Sequence, residues 1–276
     1  MRTGYTFVSW NSTANGLGTK YLPGDTLTVT TSDVTLHAQW QINSYRLDFD
    51  SNGDSLLKID SMTMNYASSM TIPDFPLGYS RAGYTFLGWN TSIAGTGKSY
   101  AIGDSFTFSA SNAMLFAQWK INQYTINYDA NGNRVGRVPS SVTQDFNTNI
   151  AIAAPSQVFT KIGYTFQGWN TSRDGSGKTY RVGESLLVGG ANQTLYAYWV
   201  PNAYKVTYIS TANVYLDSGS FVTGGSILKP PSPPARDGYK FQGWSNSPSR
   251  NKLLSFPYSP GVTRNISLYA VWTKTK

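Results

Sequence analysis

The chain has 276 residues and a net charge of +8, with 26 Gly, 13 Pro, 19 Tyr and 8 Trp but only 13% charged residues; this suits strands and turns and leaves little for the solvent faces of helices. With no cysteine, a disulfide framework and any thiolate metal site are excluded, so packing must hold the fold together. No apolar run reaches the ~18 residues of a membrane span, and Met1-Arg2-Thr3 leads into a strand-like GYTF instead of a signal core, so any export signal and anchor are expected outside this stretch.

The first element, GYTFVSW from Gly4, returns as GYTFLGW from Gly83, GYTFQGW from Gly163 and GYKFQGW from Gly238. Each copy carries Trp six positions after its Gly, at Trp10, Trp89, Trp169 and Trp244, and a second Trp closes it at Trp40, Trp119, Trp199 and Trp272. A period near eighty residues therefore organises the chain, and it has to be read before any motif is interpreted.

A further piece stands between each closing Trp and the next Gly-Tyr: YRLDFDSNG from Tyr45, YTINYDANG from Tyr124 and YKVTYISTAN from Tyr204. None precedes Gly4. The expected organisation is a partial repeat at 1–40, modules at 41–119 and 120–199, and a divergent module with a basic tail at 200–276. A phase that starts each unit at GYTF would instead place the orphan half at the C-terminal end, and sequence alone does not choose between them.

Within each copy the alternation has the period of two that belongs to strands. In the closing segments one face repeats as Leu115, Ala117, Trp119 or Leu195, Ala197, Trp199, a large-small-large order expected of core. The opposite face varies: His37, Phe116, Tyr196 and Tyr269 share one position, and Gln39, Gln118, Tyr198 and Val271 another. Asn52-Gly53 and Asn131-Gly132 read as two-residue hairpin turns, and at most a short helical turn is expected in the middle of each unit. The fold class is mainly β, with little or no helix.

The run AGTGKS at Ala94–Ser99 invites a phosphate-loop reading, which fails on context. The first Gly of that motif is replaced by Ser92, with Ser172 in the next copy, and strand-turn-strand sequence follows where a helix is required. Asp50-Ser51-Asn52-Gly53-Asp54 resembles the start of a calcium loop, but its Gly comes at the fourth place and its twelfth residue is Ser61. LPGDT at Leu22–Thr26 is matched by AIGDS and RVGES, so it is a module turn and no sorting signal. His37 is the only histidine and lies on the variable face. Asp25, Asp104 and Glu184 recur as one acid per unit, whereas paired-carboxylate hydrolysis needs two within about 5–10 Å. No catalytic residue, cofactor or metal site is expected. The sequons at Asn11, Asn90 and Asn170 fall in the same repeated turn and are equally readable as turn chemistry.

GYTFxGWNT, GxGKxYxxGDS, the closing TLYAYW or MLFAQWK and YTINYDANG together resemble the Listeria-Bacteroides repeat, the B-repeat of internalin-type surface proteins. The resemblance covers nearly the whole chain. It implies a tandem array of small β-grasp-like modules in secreted or wall-attached bacterial proteins, where they serve as stalks and interaction surfaces, and it brings no catalytic residues. Residues 200–276 depart most, with Trp244-Ser245-Asn246 for Trp-Asn-Thr, no DANG, and KPPSPPARDG before Gly238.

Charge is zero in residues 1–40 and −2 in 41–119, then rises to +3 in 120–199 and +5 in 200–272, and the tail adds +2. Two roles follow as expectations. One is an extracellular stalk of an adhesin-like protein at the cell surface or wall, its modules touching only their neighbours. The other is a binding module for a cell-wall or host glycan, an anionic polymer or a host surface protein. Its candidate contacts are the aromatic face Phe116, Tyr196, Tyr198 and Tyr269 and the basic residues Lys240, Arg250 and Lys252. Neither role involves specific nucleic acid or membrane insertion, and a monomer is expected.

Overall fold

The computed structural model describes residues 1–53, 59–74, 80–211, 214–215 and 218–276. It divides into two compact units, Met1–Asn122 and Gln123–Lys276.

In the first unit, residues 44–121 form a five-stranded sheet. The opening strand Ser44–Asp50 pairs with Met62–Asn65 on one side and, in parallel, with the closing strand Ala113–Ile121 on the other. Beyond the closing strand come Tyr84–Asn90, antiparallel to it, and Ser99–Tyr100 at the far edge. Numbered along the chain, the order is 2-1-5-3-4 with strands 1 and 5 parallel. This is a β-grasp order in which a two-stranded sheet, Ser69–Thr71 with Ser105–Thr107, replaces the grasping helix. Residues 123–201 repeat the arrangement with Gln123–Asp129, Val142–Asp145, Gln193–Pro201, Tyr164–Asn170 and Thr179–Tyr180, and their small sheet joins Asn149–Ala151 to Ser185–Leu187. No helix occurs among the described residues, and where at most a short helical turn was expected, residues 44–121 and 123–201 hold a strand pair in mid-module.

The alternation explains the core. Leu47, Phe49, Leu115, Ala117 and Trp89 meet Ile72, Phe106 and Phe108 from the small sheet and its flanks, and all are buried. Ile126, Tyr128, Leu195, Ala197 and Trp169 do the same against Ile152 and Leu186. Large rings dominate this burial, and each module's aromatics meet edge to face, as Phe49 meets Trp89 at 4.9 Å and Tyr128 meets Trp169 at 4.7 Å.

The expectation of two-residue hairpins at Asn52-Gly53 and Asn131-Gly132 is corrected. Leu47 pairs with Met62 and Ile126 with Val142, so the return strand resumes about ten residues after each Asn-Gly. Asn52 and Asn131 do adopt a φ of 47°, but their side chains reach across the sheet end. Asn52 Nδ2 donates to the carbonyls of Ala117 (2.9 Å) and Ile93 (3.1 Å), and Asn131 Nδ2 to those of Ala197 (3.1 Å) and Arg173 (2.8 Å). Asp50 and Asp129 accept from the Asn52 and Asn131 amides at 2.7 Å, which occupies the acids of the supposed calcium loop in turn-building. Asp54 of that loop lies outside the described residues.

Residues 5–42 form three strands, Tyr5–Asn11, Lys20–Tyr21 and His37–Ile42. With no opening strand beside it, the closing strand here has 6 residues against 9 in Ala113–Ile121. Trp10 is 41% exposed, where Trp89, Trp169 and Trp244 are 1%, 0% and 2% exposed.

A single asparagine separates consecutive modules inside each unit. The Asn43 amide donates to Gly4 O (2.9 Å) and its carbonyl accepts from the Tyr66 amide (2.8 Å), while Thr6 Oγ1 donates to its side chain (2.7 Å). In the second unit Asn202 repeats this with Gly163, Thr223 and Thr165. Gly163 has φ 79°, and a Cβ there would lie 2.6 Å from both Thr223 Oγ1 and Thr263 Cγ2. Gly163→Ala is therefore expected to cost about 1–2 kcal/mol from the backbone alone and to displace those threonines, weakening the coupling between the two modules of this unit. In calorimetry their transitions should separate; a variant melting as the parent does would refute the coupling.

Candidate functional site

The lysine of the AGTGKS turn has a definite place. Asn90 is fully buried: its Nδ2 donates to Gly95 O (3.2 Å), Gly97 O (3.1 Å) and Ser99 Oγ (2.9 Å), and its Oδ1 accepts from the amides of Ser92 (2.8 Å) and Gly97 (3.0 Å). Lys98 Nζ sits 4.6 Å from the Tyr100 ring centroid, and Lys178 repeats this over Tyr180 at 4.3 Å. The turn's amides thus point inward at an asparagine, with no set of them left to cradle a phosphate. The sequon residues Asn11, Asn90 and Asn170 are the buried centres of this turn, an environment that offers no room for a glycan.

A related contact was not singled out in the sequence. Two residues before each Gly-Tyr stands a cation whose charge lies over the Tyr ring: Arg2 over Tyr5 (3.9 Å), Arg81 over Tyr84 (3.9 Å), Lys161 over Tyr164 (4.8 Å) and Arg236 over Tyr239 (3.7 Å). Its recurrence in four aligned copies is the signal that would have found it. These cations lie over rings of their own modules, which fixes their positions and leaves their charge in place.

Among the candidate contacts, Tyr196 and Tyr198 stand two apart on the outer face of Gln193–Pro201, both half-buried. Arg173 covers Tyr196 at 5.2 Å and pairs with Asp129 at 2.8 Å. Tyr198 packs against Gly175, and beside it opens a cleft of about 800 Å³ with Gln167, Thr179, Arg181 and Glu184. Tyr269 is half-buried in the last module, with Arg250 5.5 Å from its ring centroid. Phe116, in the first unit, is half-buried opposite Asp50 and Asn90. These rings are half-buried against residues of their own modules. Lys240 is exposed on Tyr239–Ser245, Lys252 is exposed in the turn that follows, and Arg250 is half-buried. A further cleft of about 290 Å³ lies against Arg236 and Arg250.

The acids have structural work. Asp25, Asp104 and Glu184 each accept from the backbone amide three residues earlier, at 2.6, 2.8 and 2.7 Å. The Ser61 hydroxyl and then Arg46 hold the Asp48 carboxyl below its ordinary range, the Ser176 hydroxyl and amide do so for Asp174, and burial raises the Tyr208 hydroxyl. His37 is half-buried at the start of its strand. Among the described residues no group of three His, Asp or Glu is placed to hold a metal, and no helix is long and apolar enough to cross a membrane.

The sheets of residues 44–121 and 123–201, of one topology and each with its own aromatic core and the same glycine turn, define tandem β-grasp-like modules. The sequence profile of the Listeria-Bacteroides repeat domain matches residues 1–39, 45–118, 124–198 and 204–271, so the chain belongs to that family. It is 32% identical over 98% of its length to a protein of Evansella cellulosilytica provisionally titled a Gly-rich membrane protein, covering 31% of that protein. It is 29% identical over 68% of its length to Internalin H of Listeria monocytogenes, covering 32% of it. The chain thus spans about a third of these relatives. A solved structure of SHIRT domains 3-4 from a cell surface protein aligns with 57% of this chain and 99% of its own at 17% identity and a TM-score of 0.26, a likeness too low to carry an argument.

Proposed function

We propose that the chain is a non-catalytic, extracellular stretch of a bacterial surface protein, and that it serves chiefly as a stalk built from repeat modules at 41–119, 120–199 and 200–276 with a partial module at 1–40. The observation that carries this reading is the one-residue joint. Asn43 and Asn202 each bond to the module before and the module after, so neighbours are coupled without a slack linker. Among the described residues the recurring Asp25, Asp104 and Glu184 each cap a turn, which supports a non-enzymatic role. Kinship with Internalin H supports a place at the cell surface.

The test is presentation. With the chain displayed on a bacterial surface beneath a terminal tag, inserting Gly-Ser-Gly-Ser after Asn202 is expected to reduce antibody access to the tag several-fold relative to the parent. Equal access for both chains would overturn the stalk reading. A second reading, binding of a surface glycan, is supported by the clefts beside Tyr198 and Arg250.

A further inference from the structure

In the module of residues 123–201, the end of the opening strand is filled and its charge answered. Asn131 plugs the gap by bonding to Ala197 O, Lys161 Nζ donates to Asn131 O at 3.2 Å, and Asp129 neutralises Arg173. In the module of residues 44–121, Asn52 bonds to Ala117 O and Arg81 donates to Asn52 O at 3.3 Å.

The last module differs at just this place. Ile209, Ser210 and Thr211 stand where the third has Asp129, Ala130 and Asn131. The opening strand, Ala203–Thr211, runs straight on and pairs Ile209 with Tyr215. Arg250, held at φ 54°, takes over the plug's bond: its Nε donates to Ala270 O at 3.0 Å and its Nη1 to Pro248 O at 3.3 Å. Arg236 keeps the place of Lys161 and Arg81 and lies over Tyr239 at 3.7 Å. Between them remains the cleft of about 290 Å³, walled by Ser210, Thr211, Arg236, Arg250 and Trp272.

Two guanidinium groups therefore border one small concavity whose lining among the described residues holds no acid, in the module with the highest positive charge. Among the described residues neither makes a salt bridge, whereas Arg46 and Arg173 do. Trp272 spends its indole N–H on Ser210 O at 2.9 Å, so it offers an apolar wall, and Ser210 and Thr211 bring hydroxyls. Like charges without a counter-charge are unfavourable where water is partly excluded, and a guanidinium's planar donors match oxyanions. The volume is near the lower end of the roughly 300–1,000 Å³ of small-ligand sites, enough for one charged group with part of its sugar.

We infer that this cleft binds a single oxyanion group, carboxylate, sulfate or phosphate, carried on a sugar residue of an acidic polysaccharide, with Arg236 and Arg250 as its donors. The inference rests on the extracellular reading but does not depend on the stalk role, so the presentation assay and the binding assay below can fail separately.

The test titrates the intact chain by calorimetry with three probes: a glucuronate disaccharide, a sulfated disaccharide and glycerol phosphate, at about 50 and 200 mM salt. At least one probe is expected to bind, and its kind identifies the source of the oxyanion. Arg236→Gln is expected to weaken it at least tenfold, while Lys205→Gln and Lys274→Gln, exposed cations of the same module outside the cleft, leave it within twofold. Arg250→Lys, which keeps the charge but loses the fork, should weaken it as Arg236→Gln does. Thermal melts accompany each variant, and Arg236→Gln decides the matter if Arg250→Lys unfolds the module. Binding by no probe overturns the inference, as does an equal loss in all four variants, which would show diffuse charge without a site.

Discussion

Trp169→Ala is expected to destabilise residues 123–201 by about 3–5 kcal/mol, the range for deleting a buried aromatic. The side chain is fully buried, meets Tyr128 at 4.7 Å and Phe166 at 5.3 Å, and donates from Nε1 to Ala153 O at 3.0 Å. Its removal leaves both a cavity and a carbonyl without its partner. Since small domains carry only about 5–15 kcal/mol in all, most of this module's margin would go. The core of residues 203–274, built around Trp244, Leu268 and Val206, is separate, so thermal unfolding should become biphasic, with the later step near the parent temperature. A single transition moved as a whole would show that the two modules fold as one. Trp10→Ala, at a position 41% exposed, should cost less, about 2 kcal/mol, since part of the ring already faces water and a smaller apolar area is lost.

Asn170→Ala is expected to cost about 2–4 kcal/mol, because it strands several buried groups and does not merely delete a contact. Asn170 Nδ2 donates to Gly175 O (3.2 Å), Gly177 O (2.9 Å) and Thr179 Oγ1 (2.8 Å), and its Oδ1 accepts from the amides of Ser172 (2.7 Å) and Gly177 (3.1 Å). An alanine can serve none of them. Asn170→Ser should be milder, since the last module already uses Ser245, whose Oγ accepts from the Ser247 amide at 3.2 Å. Amide hydrogen exchange at Ser172 and Gly177 checks this directly: both should lose protection in the alanine variant, and unchanged protection would mean that the turn is held by other means.

The core was legible because alternation assigns faces without knowledge of the topology: Leu115, Ala117, Leu195 and Ala197 read as core from sequence and are buried. The β-grasp-like character came from the resemblance, and no period or spacing could have supplied the parallel pairing of Leu115 with Phe49. Asn52 and Asn131 misled because an Asn-Gly pair advertises its backbone geometry and says nothing of where the amide side chain goes. The strand pair in mid-module was not legible, where the sequence allowed at most a short helical turn. Segments such as Ser69–Thr71 are too short to show a period, and only their pairing with Ser105–Thr107 makes them strands. The Arg236 and Arg250 cleft was half visible, as a missing DANG and a basic stretch. That the two coincide in space depends on Arg250 reaching back to Ala270, which is 20 residues away along the chain.

The parallel pairing also decides how a module meets tension. In residues 44–121 the chain enters at Ser44 on the opening strand and leaves at Ile121 on the closing strand, and these two strands are neighbours running the same way. A pull on the two ends slides one strand along the other and loads the rungs between Leu47–Asp50 and Ala113–Phe116 together, where a hairpin pulled open at one end would yield rung by rung. Each complete module therefore carries a shear clamp between its own entry and exit.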